Sequence, residues 1–179
     1  MQVKRGVAVV GLMFCMAPAL AQQTSASAAS GAFSVQMGAM NGIKRLGVNW
    51  ESPTLWSKAF SATRLDLVAE VGAAYWWSDH ANPGFAKNLW QAQATPMLRW
   101  WLGGRFFVEA GIGAALLSED KIRDRRLGTK WQFSDQIGMG YQFTPTSRLS
   151  LRYSHYSNAG ANKHNQGLDA LQLHWTQRF

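Results

Sequence analysis

Alternation with a period of two is the feature that most limits what this chain can fold into. Along 61–76, Leu65, Leu67, Ala69, Val71, Ala73 and Tyr75 share one face and Asp66 and Glu70 take the other. Along 89–102, Trp90, Ala92, Ala94, Pro96, Leu98, Trp100 and Leu102 oppose Gln91, Gln93, Thr95 and Arg99. Along 104–117, Phe106, Val108, Ala110, Ile112, Ala114 and Leu116 oppose Arg105 and Glu109. An apolar residue at every second position makes one face of a strand, since a helix would repeat every three to four. Further strand-length segments lie at 33–40, 43–51, 131–143, 147–157 and 168–179, which brings the number to eight.

Several of these segments are far longer than the five or six residues usual in a soluble sandwich. The face opposite the apolar one mixes charges, amides and glycines, as in the lumen of a narrow barrel. The expected fold class is therefore all-β: an eight-stranded antiparallel transmembrane β-barrel of the outer membrane. A soluble eight-stranded calyx is the alternative. The connections favour the membrane barrel. "GG" at 103–104 and "TPTS" at 144–147 are tight, whereas 78–88 and 118–130 are long and charged. With the first strand running outward, the long loops all lie outside, as in outer-membrane barrels. The chain ends on an alternating strand closed by Phe179, "LQLHWTQRF". Three features fit less well. Pro96 removes a ladder hydrogen bond, Asp135 shares the apolar face of its strand, and 52–60 makes a long periplasmic connection.

The first residues point to export. "MQVKR" is positive, "GVAVVGLMFCMAPAL" is apolar, and "ALA" at 19–21 has the small-x-small form of a cleavage site. The expectation is a signal peptide at 1–21, a short segment at 22–32 and the barrel at 33–179. Cleavage removes Cys15, the only cysteine, and with it any disulfide or thiol chemistry. The net charge of +8 falls to +6 without Lys4 and Arg5. For an exported chain that basic balance points to anionic lipid headgroups and not to nucleic acid. Nine Trp, nine Phe and four Tyr suit a protein with two membrane interfaces.

Carrying the register through the last two strands brings three polar side chains onto the lipid-facing surface. Leu149, Leu151 and Tyr153 form the apolar face of 147–157, and steps of two lead on to His155 and Ser157. In 168–179, Phe179, Gln177, Trp175, Leu173 and Leu171 lead to Asp169. Ser150, Arg152, Ser154 and Tyr156 point inward, and so does His174. Same-face neighbours along a strand are about 6 to 7 Å apart, and cross-strand neighbours are within about 5.5 Å. One histidine can thus reach both a serine and a carboxylate. That arrangement activates a hydroxyl: the imidazole takes the proton and the carboxylate fixes the tautomer. Asn158, or backbone amides around "NAG", can donate to an oxyanion. The alternative is a polar rim that meets only headgroups.

"HYSNAG", His155 to Gly160, resembles the His-x-Ser-Asn motif of the lipid A 3-O-deacylase family, outer-membrane barrels of the PagL type. The resemblance implies His155 as base, Ser157 as nucleophile and Asp169 as the acidic member, where a family member carries Glu. It also implies an oxyanion hole from Asn158 and Gly160. The implied activity is hydrolysis of the ester-linked 3-O acyl chain of lipid A, without metal or cofactor. Lipid A or lipopolysaccharide is then the substrate, and outer-membrane lipids are the surroundings. Homodimerisation is left open. A hydrophobic groove for the chain is expected near Leu171, Trp175 and the loops. In the 118–130 loop, Arg123, Arg125 and Arg126 are expected to project outward and meet phosphate, because a planar guanidinium matches phosphate oxygens. A solvated loop is the equal alternative. The readings that compete with an enzyme of this kind are a non-enzymatic small barrel with binding loops and a different lipid-active barrel.

Overall fold

The computed structural model describes residues 31–179; the expected signal peptide, Cys15 included, and residues 22–30 lie outside the described residues. The wall is built from β1 (Ala32–Met40), β2 (Ile43–Glu51), β3 (Trp56–Ala59), β4 (Arg64–Ser78), β5 (Asn88–Trp101) and β6 (Phe106–Leu117). A small hairpin of β7 (Lys121–Ile122) and β8 (Arg125–Arg126) follows. The wall then continues with β9 (Trp131–Gln142), β10 (Ser147–Ser157) and β11 (Leu168–Arg178). Each strand pairs antiparallel with its neighbour, β11 pairs with β1, and the β2–β4 pairing closes the ring. Closure leaves no free edge, so backbone polar groups at membrane depth are satisfied within the sheet.

The expected misfit at 52–60 resolves as a broken strand. β3 pairs with residues 64–67 of β4, continuing along the partner that β2 occupies further up. The periplasmic turn is therefore short, with the Phe60 amide donating to the Thr63 carbonyl at 2.8 Å. At the opposite end Asn41 and Gly42, with φ of 53° and 75°, form a two-residue turn. Two successive left-handed residues match the twist of the strands they join. Pro96 does interrupt its ladder: pairing is recorded at Ala94–Ala114 and Met97–Gly111 but not between them. The register on either side is unchanged, so the outward face of β5 survives.

The alternation sorts side chains as the sequence implies. Outward positions such as Val35, Val48, Leu98, Ile112, Ile137, Met139 and Leu151 are exposed and apolar. Aromatic rings collect at both ends. Phe33 stacks on Phe179, and Phe106, Tyr141 and Phe143 form a chain at the periplasmic end. Tyr75, Trp77 and Trp90 cluster at the outer end, as do Trp131 and Phe133. Two such girdles mark the interfaces of a membrane barrel.

The lumen is packed, not open. Arg99 reaches Glu51 at 2.8 Å and Glu109 at 2.9 Å, and Arg152 reaches Glu70 and Glu109, each at 2.7 Å. Arg148 also pairs with Glu51. Charges taken out of water need partners of this kind. Toward the outer mouth the lumen turns apolar, with Trp76, Leu89, Leu117, Tyr156 and Leu168 around Ile122 and Leu127. The charged stretch at 121–126 therefore does not simply project. Its hairpin folds over the mouth and is anchored by Ile122 and Leu127, both fully buried.

Candidate active site

β10 delivers His155 and Ser157 to the outer end of the lipid-facing wall, and β11 delivers Asp169 beside them. His155 stands directly opposite Asp169 in the register. Its Nδ1 lies 2.8 Å from Asp169 Oδ1. A carboxylate there accepts the Nδ1 proton, which leaves Nε2 as the basic nitrogen. Ser157, the last residue of β10, follows two positions on along the same face and pairs with Phe133 of the outer aromatic girdle. The serine thus lies at interface height. Among the described residues its hydroxyl has no hydrogen-bond partner, His155 included; such contacts are often long without substrate and tighten when it binds.

The neighbouring serine is out of reach. Ser154 is fully buried in the lumen, where its hydroxyl accepts a hydrogen bond from Gln172 at 2.6 Å. His174 is likewise buried inside the barrel. Tyr156, between the two site residues, points inward; its hydroxyl donates to Gln93 at 3.1 Å and its ring meets Trp76 edge-on. These contacts fix the height of β10 and therefore the height of His155 and Ser157.

Asn158 is engaged differently from a free oxyanion donor. It is fully buried, and its Nδ2 donates to the carbonyls of Leu127 and His164, both at 2.7 Å. Its Oδ1 accepts the Gly160 amide at 2.9 Å. Both expected donors, the Asn158 carboxamide and the Gly160 amide, are therefore committed to the loop in this conformation. Ala159 and Gly160 follow with φ of 51° and 80°. The tight left-handed turn reverses the chain directly after Ser157.

The arginines divide. Arg123 pairs with Asp124 at 2.5 Å, and Arg126 lies 5.4 Å over the Phe85 ring. Arg125 reaches the 166–167 segment with its side chain, donating to the Gln166 carbonyl at 3.0 Å and weakly to that of Gly167 at 3.5 Å, whereas Arg126 bonds Gln166 through its backbone. A shallow groove opens at His155 and is lined by Ala110, Ile112, Asp135, Ile137 and Tyr153, with Asp135 between His155 and Ile112 in the register. It crosses β9 toward β6. Leu171 and Trp175, where a groove is also expected, are exposed to lipid on β11 and do not line this one.

Three contributors were not assigned from the sequence. Asp135 read only as a misfit, yet it faces His155 across β9 in the register. Tyr153 read as one more apolar-face residue, yet its hydroxyl donates to Asp169 Oδ1 at 2.6 Å. Gly167 carried no signal beyond its type, yet it lies under the imidazole. Among the described residues no group of three or more His, Cys, Asp or Glu side chains converges as a metal site requires.

Fold and site together define an outer-membrane β-barrel with a polar cluster on its lipid-facing wall, at the level of the outer interface. Within that class, residues 44–178 match the model of the family described as lipid A 3-O-deacylase (PagL). The chain is 46% identical over 174 residues to the lipid A deacylase PagL of Bordetella bronchiseptica, covering 96% of this chain and 93% of that one. It is 31% identical over 170 residues to the lipid A deacylase PagL of Pseudomonas aeruginosa, covering 93% of each. A crystal structure of the outer membrane enzyme PagL superposes with a TM-score of 0.70 at 28% identity, covering 83% of this chain and 99% of the other. The chain belongs to the PagL family of lipid A 3-O-deacylases.

Proposed function

We propose that this protein hydrolyses the ester-linked 3-O acyl chain of lipid A in the outer leaflet. The observation that carries this is the His155–Asp169 pair, 2.8 Å apart beside Ser157 on the lipid-facing wall. Such a site meets an ester that is itself part of a membrane lipid, with no passage through the barrel. The mature protein is read as residues 22–179, a short segment at 22–32 followed by the barrel at 33–179, after loss of 1–21.

Ser157 is the nucleophile. His155 Nε2 takes its proton as the hydroxyl oxygen attacks the ester carbonyl, and Asp169 stabilises the resulting imidazolium. The same proton passes to the sugar oxygen as the ester C–O bond breaks, leaving an acyl-enzyme. Water, deprotonated by His155, then attacks the acyl carbonyl; the bond to Ser157 Oγ breaks, His155 returns the proton to that oxygen, and the fatty acid is released. The oxyanion is met by Asn158 and Gly160 once substrate exchanges their present loop hydrogen bonds. The groove from His155 across β9 holds the acyl chain against Ala110, Ile112 and Ile137, and the Asp135 carboxylate accepts from polar groups of the substrate. Arg125, near Asp169, is the arginine best placed for a lipid A phosphate; Arg123 and Arg126 give secondary contacts.

Mass spectrometry of lipid A from cells carrying the wild-type chain, the Ser157→Ala chain or neither tests the reading. The expected result is loss of one 3-O hydroxyacyl chain with the wild type alone. Unchanged lipid A beside correctly folded wild-type protein overturns it.

A further inference from the structure

We infer that Tyr153 is a positioning residue of the site, a phenol that holds Asp169 in the orientation its pairing with His155 requires. The inference rests on the triad reading above. Tyr153 and His155 are alternate residues of β10, so both project from the lipid-facing wall. Asp169 stands opposite His155, and Leu171 stands opposite Tyr153. Tyr153 is therefore the diagonal neighbour of Asp169, a distance that long side chains bridge. Its hydroxyl donates to Asp169 Oδ1 at 2.6 Å, and His155 Nδ1 meets the same oxygen at 2.8 Å.

Two donors on one oxygen define where that oxygen is. An aspartate alone on a lipid-facing strand turns about two side-chain bonds, and its charge has little water to hold it. The phenol supplies a fixed donor that favours one rotamer. Tyr153 is also an odd place for an ordinary interface aromatic. It lies one full step of the pleat deeper in the membrane than His155, below Trp131 and Phe133. A phenol at that depth needs a partner for its hydroxyl, and Asp169 is the partner. The ring meanwhile lines the groove, so ring and hydroxyl have separable roles.

Tyr153→Phe keeps the ring and removes the hydroxyl, which makes it the informative substitution. In purified protein in mixed micelles of lipid A, we expect kcat to fall roughly ten- to a hundredfold with KM unchanged, the size of one charge-assisted hydrogen bond. In an Asp169→Ala background, Tyr153→Phe should add no further loss, because its only route to the reaction is through Asp169. Wild-type kcat in Tyr153→Phe would overturn the inference. So would a rise in KM alone, or a full additional loss in the Asp169→Ala background. Ser157→Ala, assayed alongside, tests the triad separately: if it stays active, the parent reading has failed whatever Tyr153→Phe does.

Discussion

Gly167 lies directly beneath the imidazole of His155: a β-carbon at Gly167 would come within 2.9 Å of His155 Cε1 and 3.1 Å of the Tyr156 carbonyl. Its φ of 64° is also one that L side chains rarely adopt. The residue before β11 thus sets the tilt of the ring on β10. Gly167→Ala is expected to push the imidazole off its line between Ser157 and Asp169. Displacements on the order of 1 Å cost about a hundredfold in rate when they disturb a reacting geometry. We expect kcat to fall at least about tenfold, while the barrel still shows its heat-dependent shift in gel mobility. A variant with normal kcat would show that the ring is held from elsewhere.

Ser157 and Ser154 give a paired test of the register. Ser157→Ala should leave no measurable ester hydrolysis. Ser154→Ala should keep activity near wild type, since that hydroxyl faces the lumen and serves Gln172. Release of 3-hydroxy fatty acid, measured by mass spectrometry for both purified variants, decides it. Loss of activity in Ser154→Ala alone would move the nucleophile inside the barrel.

Asn158 bonds the loop and, under the proposed activity, also donates to the oxyanion; one substitution separates the two by readout. Asn158→Ala removes the bonds to Leu127, His164 and Gly160. Activity should fall under either role, since removing one oxyanion donor costs about a hundred- to a thousandfold. Amide hydrogen exchange over 159–167 distinguishes them. If the carboxamide also holds the loop, exchange there accelerates by an order of magnitude or more, on the order of 1–2 kcal/mol for the bonds lost. Unchanged exchange would mean that Asn158 acts on substrate alone.

The three arginines of the outer hairpin should not behave alike. Arg125→Ala removes the guanidinium that touches the 166–167 backbone, and should raise KM for lipid A about three- to tenfold, the range of a partly exposed charged contact. Arg123→Ala and Arg126→Ala should change it less, because Asp124 and Phe85 already engage those side chains. Steady-state kinetics on lipid A and on a substrate without phosphates separates phosphate recognition from loop stability. Equal effects on the two substrates would assign Arg125 to the loop.

Stability rests mainly on a different set of residues. Arg152 bridges Glu70 and Glu109 inside the barrel. Arg152→Met leaves both carboxylates short of a partner, and removing one member of a buried pair costs about 3–5 kcal/mol. Urea unfolding in detergent followed by tryptophan fluorescence should show a clearly lower midpoint. Activity of the remaining folded protein should be close to normal, because none of these groups faces the lipid.

The wall and the placement of His155, Ser157 and Asp169 were readable because period-two alternation needs only local sequence. A one-residue slip would have turned every side chain around, and no such slip occurs in β10 or β11. What escaped was whatever depends on contacts distant in sequence. β3 could not be told from a loop, since Trp56–Ala59 is short and its partner on β4 is known only in three dimensions. Ile122 and Leu127 are isolated apolar residues in a charged loop, and only the folded mouth shows them as anchors. Tyr153 and Asp135 were on the expected face, but their use depends on the diagonal and lateral neighbours that the sheet supplies. The loop hydrogen bonds of Asn158 and Gly160 likewise depend on Leu127 and His164, which their own sequence does not point to.

Placing the serine on the outside of the wall has a kinetic consequence. Under the proposed activity, substrate arrives by sliding within the leaflet, and both the shortened lipid and the released fatty acid remain in that same sheet. The quantity that governs the rate is then the number of substrate molecules per unit of membrane area. Diluting the whole suspension leaves each molecule of enzyme working at the same pace. Diluting the substrate among inert lipids slows it, and accumulating product crowds the same two-dimensional neighbourhood from which the next substrate must come.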